Sequence, residues 1–297
     1  VNDSVYDSLA ESSDPRWAFG TGFADDVAAE ITAPVPDGVD PADLAAYCLM
    51  LGDDALILQH RLSEWVANAP ELEEEVALAN IALDLLGQAR VLLARAGHLT
   101  GGVDGGSARS TAGDDRLAYF RDQAEFRNVA LVEQSDDLDF ARCVARLLLF
   151  ATWRLAMLQR LAGFADPVVA AVAAKGVKEV AYHRDYAVRW TLRLGDGTAE
   201  SHRRMQAALD WAWTYLEELF GTSDVERRLG VDPAETRAEV AGILDQVLTR
   251  ATLTRPDTRP SGTVGGRGGR QGLHTEALGH VLDVLQGLAR RHEGATW

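Results

Sequence analysis

The chain has 297 residues, 47 % of them hydrophobic, a formal net charge of -16 and an isoelectric point near 4.8. That balance argues against nucleic acid and anionic membrane as partners, because both need clustered Lys and Arg. No uninterrupted apolar stretch reaches the roughly 20 residues of a membrane span, and the polar start VNDSVYDSLAESSDP lacks the basic and apolar regions of a signal peptide, so a soluble, cytoplasmic protein is expected.

Residues 1–40 read as a partly ordered N-terminal extension, with Trp17 and Phe19 as anchors, a short helix at Phe23–Thr32 and three prolines before the first long helix. Residues 41–297 read as a single helical domain. The first long helix, Asp43–Ala67, carries an apolar stripe at Leu51, Leu58, Leu62 and Trp65, with Asp54 on the same stripe. After a corner at Ala67–Pro70, a second helix runs Glu71–Ala96. Its first turn holds Glu71, Glu73, Glu74 and Glu75, which favour the positive end of the helix dipole. Its expected apolar side is Leu72, Val76, Leu83, Leu86 and Leu93, and Asn80, Asp84 and Gln88 follow one i, i+4 line. Gly97–Gly113 is a Gly/Ser-rich loop.

A shorter helix is expected over Asp114–Gln134, then a third long helix over Leu138–Ala162. Asp166-Pro167 opens a fourth that runs to Leu194, since Pro suits a first helical turn. Further helices are expected from Thr198 to Gly221, rich in aromatics (Trp211, Trp213, Tyr215, Phe220), from Asp232-Pro233 to Thr252, and over 273–293. The Pro/Gly-rich stretch between the last two forbids regular helix. Cys48 and Cys143 sit among apolar neighbours and read as buried free thiols. There is no strand alternation and no internal repeat. The fold class is therefore all-α, a four-helix bundle with additional packed helices, and a crossover at 114–134 fits the ferritin-like topology.

An acid inside an apolar stripe is costly unless it is paired, protonated or bound to metal. In bundles one recurrent reason is a di-metal site, with a carboxylate from each of two helices and Glu-x-x-His from each of the other two. Asp54 is one such carboxylate. In the second helix, Asp84-Leu85-Leu86-Gly87-Gln88 has no imidazole. From Phe140 to Ala165, across the third, there is no Asp, Glu or His; Glu125 and Glu133 precede it and could substitute only if the crossover turned inward. The fourth offers Glu179 and His183, at i, i+4 rather than i, i+3, with Tyr186 beyond. Non-haem iron needs several hard ligands and an open position. The favoured reading is a vestigial di-metal position at Asp54, Asp84, Gln88, Glu179 and His183, with no metal and no catalytic residue. A weaker metal site at Asp54, Asp84, Glu179 and His183 is the alternative.

Asp84 is expected to pair with Lys178, an Arg or His183 across the bundle, and His183 could meet Glu179. Gly265–Arg270 lacks the strand and the Lys-Ser/Thr of a P-loop. Arg267, Arg270, His274 and Glu276 are instead candidates for contact with a partner or with CoA, while Thr275 could cap the last helix. The aromatic run near Trp211 reads as core or subunit interface.

Several motifs in the same order, LGDDALILQHRLSEW, PELEEEVALANIALDLLGQAR, EFRNVALVEQ, KEVAYH, RLGDGTAESHRRM and GGRQGLHTEALG, resemble the PaaC family of the bacterial multicomponent phenylacetyl-CoA epoxidase. The resemblance spans roughly residues 43–297. It implies a ferritin-like fold in a heteromeric complex. There a PaaA-like subunit holds the di-iron centre and the substrate, a PaaB-like small subunit and a PaaE-like flavin/iron–sulfur reductase complete the system, and NADPH-driven epoxidation of the aromatic ring serves phenylacetate catabolism. The implied role of this chain is a structural, non-catalytic subunit without a cofactor of its own, self-associating as a homodimer if alone. The remaining alternatives are a divergent ferritin-like metal oxidase and a CoA- or acyl-binding helical protein.

Overall fold

The computed structural model describes residues 31–101, 113–259 and 268–293. Trp17, Phe19, most of the helix expected at Phe23–Thr32, and Arg267 lie outside the described residues.

Helix α1 spans Pro41–Ser63. The Asp40 carboxylate accepts the Ala42 and Asp43 N–H groups at 2.8 and 3.0 Å, and Pro41 occupies the first turn. Leu51, Leu58, Leu62 and, just past the helix, Trp65 are buried, as their spacing predicts. The corner is made where Ala67 takes a left-handed φ of 67°. Helix α2 follows over Leu72–Leu99. Here the expected apolar side is only partly right. Leu72, Val76 and Leu83 are exposed, and the buried face is Leu78, Ile81, Leu85, Ala89, Leu92 and Ala96. The helix is apolar on more than one side, so periodicity could not choose between them. It is the one described helix long and apolar enough to cross a membrane, with half of that stretch buried in the bundle.

The helix expected over 114–134 is broken. It resolves into α3 (Gly113–Tyr119), a 3-10 turn at Gln123–Glu125, an extended run to Val129, and α4 (Ala130–Glu133). The cause lies in α1. Asp53 accepts the Arg127 N–H at 2.8 Å and Asp54 accepts the Val129 N–H at 2.9 Å. These donors would be spent inside a continuous helix.

Helix α5 spans Phe140–Leu161, capped by Asp139, and α6 spans Pro167–Gly195, capped by Asp166. Helices α1 and α2 pack along each other, as do α5 and α6, and α2 meets α6 to close the bundle. Asp166 is also ion-paired to Arg95 of α2 at 2.6 Å, with both side chains fully buried. Helix α7 (Ala199–Trp213) lies on α5 and α6; it ends before the aromatic run does, and Leu216–Phe220 forms a separate 3-10 turn. Helix α8 (Asp224–Arg228), a 3-10 turn at Pro233–Thr236 capped by Asp232, and α9 (Arg237–Arg250) follow. A 3-10 turn at Gly269–Gln271 leads into α10 (Glu276–Arg291). There is no strand among the described residues, and one continuous apolar core joins these elements. Cys48 and Cys143 are free and buried within it, and burial pushes the Cys143 thiol up to about 12.

The segment before α10 is pressed against the crossover. A Cβ at Gly269 would sit 2.0 Å from the Asn128 carbonyl oxygen, and one at Gly272 (φ 78°) 2.2 Å from that of Ala124. The glycines of GGRQG are there to let two backbones approach, not to free a surface loop.

Candidate functional site

The polar centre of the bundle is built from acids that α1, the crossover and the 3-10 turn at Leu216–Phe220 deliver to the interior. Asp53, Asp54, Glu133 and Glu218 are all buried. Each is answered from within the chain. Asp53 receives the Arg121 guanidinium, one nitrogen of which is 3.0 Å away. Asp54 receives both terminal nitrogens of Arg270, at 3.0 and 2.8 Å. The Arg270 guanidinium also donates to the Met50 and Arg127 carbonyls. Arg270 is therefore an internal counter-ion, which corrects the expectation of a partner or CoA contact.

Glu218 accepts the N–H groups of Ala130, Gly268 and Gly269 at 2.6, 3.0 and 2.8 Å. Burial raises its pKa against the pull of those donors and of Arg270. Glu133 shows that the crossover does turn inward. It accepts Asn128 Nδ2 at 2.8 Å, the Thr275 N–H and hydroxyl at 2.7 and 2.8 Å, and His274 Nδ1 at 2.8 Å. Thr275 stands at the N-cap of α10, but its hydroxyl serves Glu133 and not the helix. Arg61 grips the Glu133 and Ala277 carbonyls behind this cluster. Glu125 stays at the surface in a capping box with Asp122, and Glu276 is exposed.

His274 lies between two groups that only accept, the Glu133 carboxylate and, at 3.0 Å from Nε2, the Phe126 carbonyl. Both ring nitrogens must then carry protons, so the residue is an imidazolium. Burial opposes that charge, but Glu133, the Phe126 carbonyl and the more distant Glu218 outweigh it and the pKa is raised.

The positions singled out for a di-metal set separate into three pairs. Asp54 is taken by Arg270. Gln88 donates to Glu179 at 3.0 Å, and Glu179 is also paired with Lys175 at 3.3 Å. His183 is bound to Asp84 at 3.0 Å, as one of the expected pairings had it, and does not meet Glu179. Tyr186 and Trp190 both donate to Glu74 of α2. Where α5 should supply an acid it supplies Arg154, fully buried, 3.3 Å from Gln88 Oε1 and 4.0 Å from Asp54. Burial lowers the pKa of this guanidinium, and Asp54 works against that. A di-iron centre does not fit this arrangement. Its space is flanked by fixed positive charge, and the oxygens that would ligate it already accept hydrogen bonds. Among the described residues no three His, Cys, Asp or Glu side chains converge on one point.

The sequence reading missed Asp53, Glu218, Arg121 and Arg154 as members of this centre. The signal for two of them was present. Asp53 adjoins Asp54, and Arg146 and Arg154 are charged positions two turns apart on an otherwise apolar helix.

Two measurements test this centre. Arg270→Met should cost about 3–5 kcal/mol in urea unfolding, because it strands a buried carboxylate. Adding Asp54→Asn, which keeps an acceptor for the Val129 N–H, should recover part of that loss. His274 has a folded pKa above its unfolded value, so its contribution is fully present below the unfolded pKa, about 6.5. It should fall as pH rises through the folded pKa, by about 1.4 kcal/mol per unit of raise. Melting curves from about pH 6 to about pH 9 should show this slope, and His274→Gln should flatten it.

Two comparisons place the chain. Residues 33–297 match the family model PaaA_PaaC, described as phenylacetic acid catabolic protein. The chain is 40 % identical over 259 residues to a PaaC-type subunit of the 1,2-phenylacetyl-CoA epoxidase of Escherichia coli K12, a match covering 86 % of this chain and 99 % of the relative. A match this long, on an all-helical bundle whose GGRQG strap and inward acids fall within it, shows that the chain belongs to the phenylacetic acid catabolic protein family.

Proposed function

We propose that this chain is the structural, non-catalytic subunit of a phenylacetyl-CoA 1,2-epoxidase, a monooxygenase assembly of aerobic phenylacetate catabolism in the cytoplasm. A PaaA-like subunit holds the di-iron centre and the substrate, and a PaaB-like subunit and a PaaE-like reductase complete the assembly. The reading is supported by identity along nearly the whole length of a relative named as a subunit of that epoxidase. The observation that carries it is the internal neutralisation of the polar centre. Asp54 is spent on Arg270, Glu133 on His274 and Thr275, and Arg154 stands where α5 would need a carboxylate.

A bundle whose acids are answered by its own cations is a rigid body. Its remaining work is to hold a partner, which suits its large helical surface. The readings as a metal oxidase and as a CoA-binding protein gain nothing from the geometry. The first lacks a converging donor set among the described residues, and the second loses Arg270 to the core.

Reconstitution with purified PaaA-like, PaaB-like and PaaE-like chains, NADPH and O2 tests the assignment. Product from phenylacetyl-CoA should require the PaaA-like chain. Glu179→Gln and His183→Ala in this chain should leave turnover per assembled complex unchanged. A loss of about a hundredfold or more, the scale of removing a proton-transfer group, would show that this chain takes part in the chemistry.

A further inference from the structure

Helix α2 presents an apolar line to solvent on the side away from the core. Leu72 is 70 % exposed, Val76 52 % and Leu83 45 %. Gly87, where a Cβ would meet nothing within 4 Å, and the largely exposed Arg90 continue the same line. At a rise of about 1.5 Å per residue, Leu72 to Arg90 spans about 27 Å. Scattered apolar surface residues need no explanation, but an aligned stripe of this length on the chain's most apolar helix marks a contact surface. Gly87 adds a point where a second backbone could approach closely. The polar ends differ in sign. Glu71 and Glu73 are exposed at the N-terminal end, and Arg90 stands at the other.

We infer that this face of α2 docks a long helix of the PaaA-like subunit, running antiparallel to α2 and placing a basic residue against Glu71 and Glu73 and an acid against Arg90. The inference rests on the structural-subunit reading above. Three observations favour this occupant. The family model that matches the chain joins PaaA and PaaC by name, so a partner with equivalent long helices is at hand. The acid and basic ends of the stripe call for a helix of opposite direction. Two copies of this chain, each at -16, repel one another.

The test uses the full chain co-expressed with the PaaA-like subunit, with affinity read by co-purification and by titration of the separated chains. Val76→Glu and Leu83→Glu change exposed positions and should leave the circular dichroism spectrum and melting temperature of this chain intact. Together they should weaken binding at least tenfold. Val284→Glu, at an exposed apolar position on α10, should leave it unchanged. Binding that survives the paired α2 substitutions overturns this inference and leaves the structural reading standing. No binding by the unsubstituted chain overturns both. If sedimentation shows that the α2 substitutions abolish self-association while the PaaA-like chain still binds, the occupant is a second copy and the inference is wrong.

Discussion

The buried pairing of Asp54 with Arg270 is the constraint on which the rest of the polar interior depends. Helix α1 carries two consecutive acids into the core, and neither can remain there uncompensated. Asp53 draws Arg121 and the Arg127 N–H inward, so the crossover cannot stay helical. Asp54 draws Arg270 from more than two hundred residues away, and with it the strap that leads into α10. Once the strap is seated, Glu218 accepts its backbone N–H groups and Glu133 accepts its His274 and Thr275. The chain's ends are thus joined through its charged centre, not only through apolar packing. Removing one partner of such a pair is more damaging than the pair is stabilising, because the survivor is left charged in a low-dielectric interior.

This arrangement also separates the fold from the chemistry that ferritin-like bundles often carry. A di-metal site needs carboxylates whose negative charge is left open to a cation. Here the cations are guanidinium and imidazolium groups, covalently part of the chain and fixed in place. Arg154 and Arg270 flank Asp54, and the remaining polar positions satisfy one another as Gln88 with Glu179 and Asp84 with His183. The result is a bundle with a polar interior but no open ligand position within it, consistent with a subunit that supports catalysis elsewhere.

The four long helices were legible because each announces itself locally, through caps such as Asp139 and Asp166-Pro167 and through apolar runs of helical period. Asp54 was legible as an anomaly on an apolar stripe, and the Asp84–His183 pair as one of several pairings. What failed was everything set by distant partners. The 114–134 segment has the composition of a helix, but its N–H groups are claimed by acids some seventy residues earlier. GGRGGRQG reads as a surface loop because glycine clusters usually are. Its glycines instead allow close approach to the crossover, and its Arg270 points inward. The buried side of α2 was misread because Leu72, Val76 and Leu83 keep helical spacing on a second face.

The central claim is that protein cations have taken the place of metal in this bundle. Elemental analysis of the full chain, purified alone after growth with added iron, tests it most directly. The account predicts less than about a tenth of an equivalent of any transition metal, since no set of hard ligands is left open. One or two tightly held equivalents, lost on His183→Ala, would contradict it and make Asp54, Asp84, Glu179 and His183 a working site.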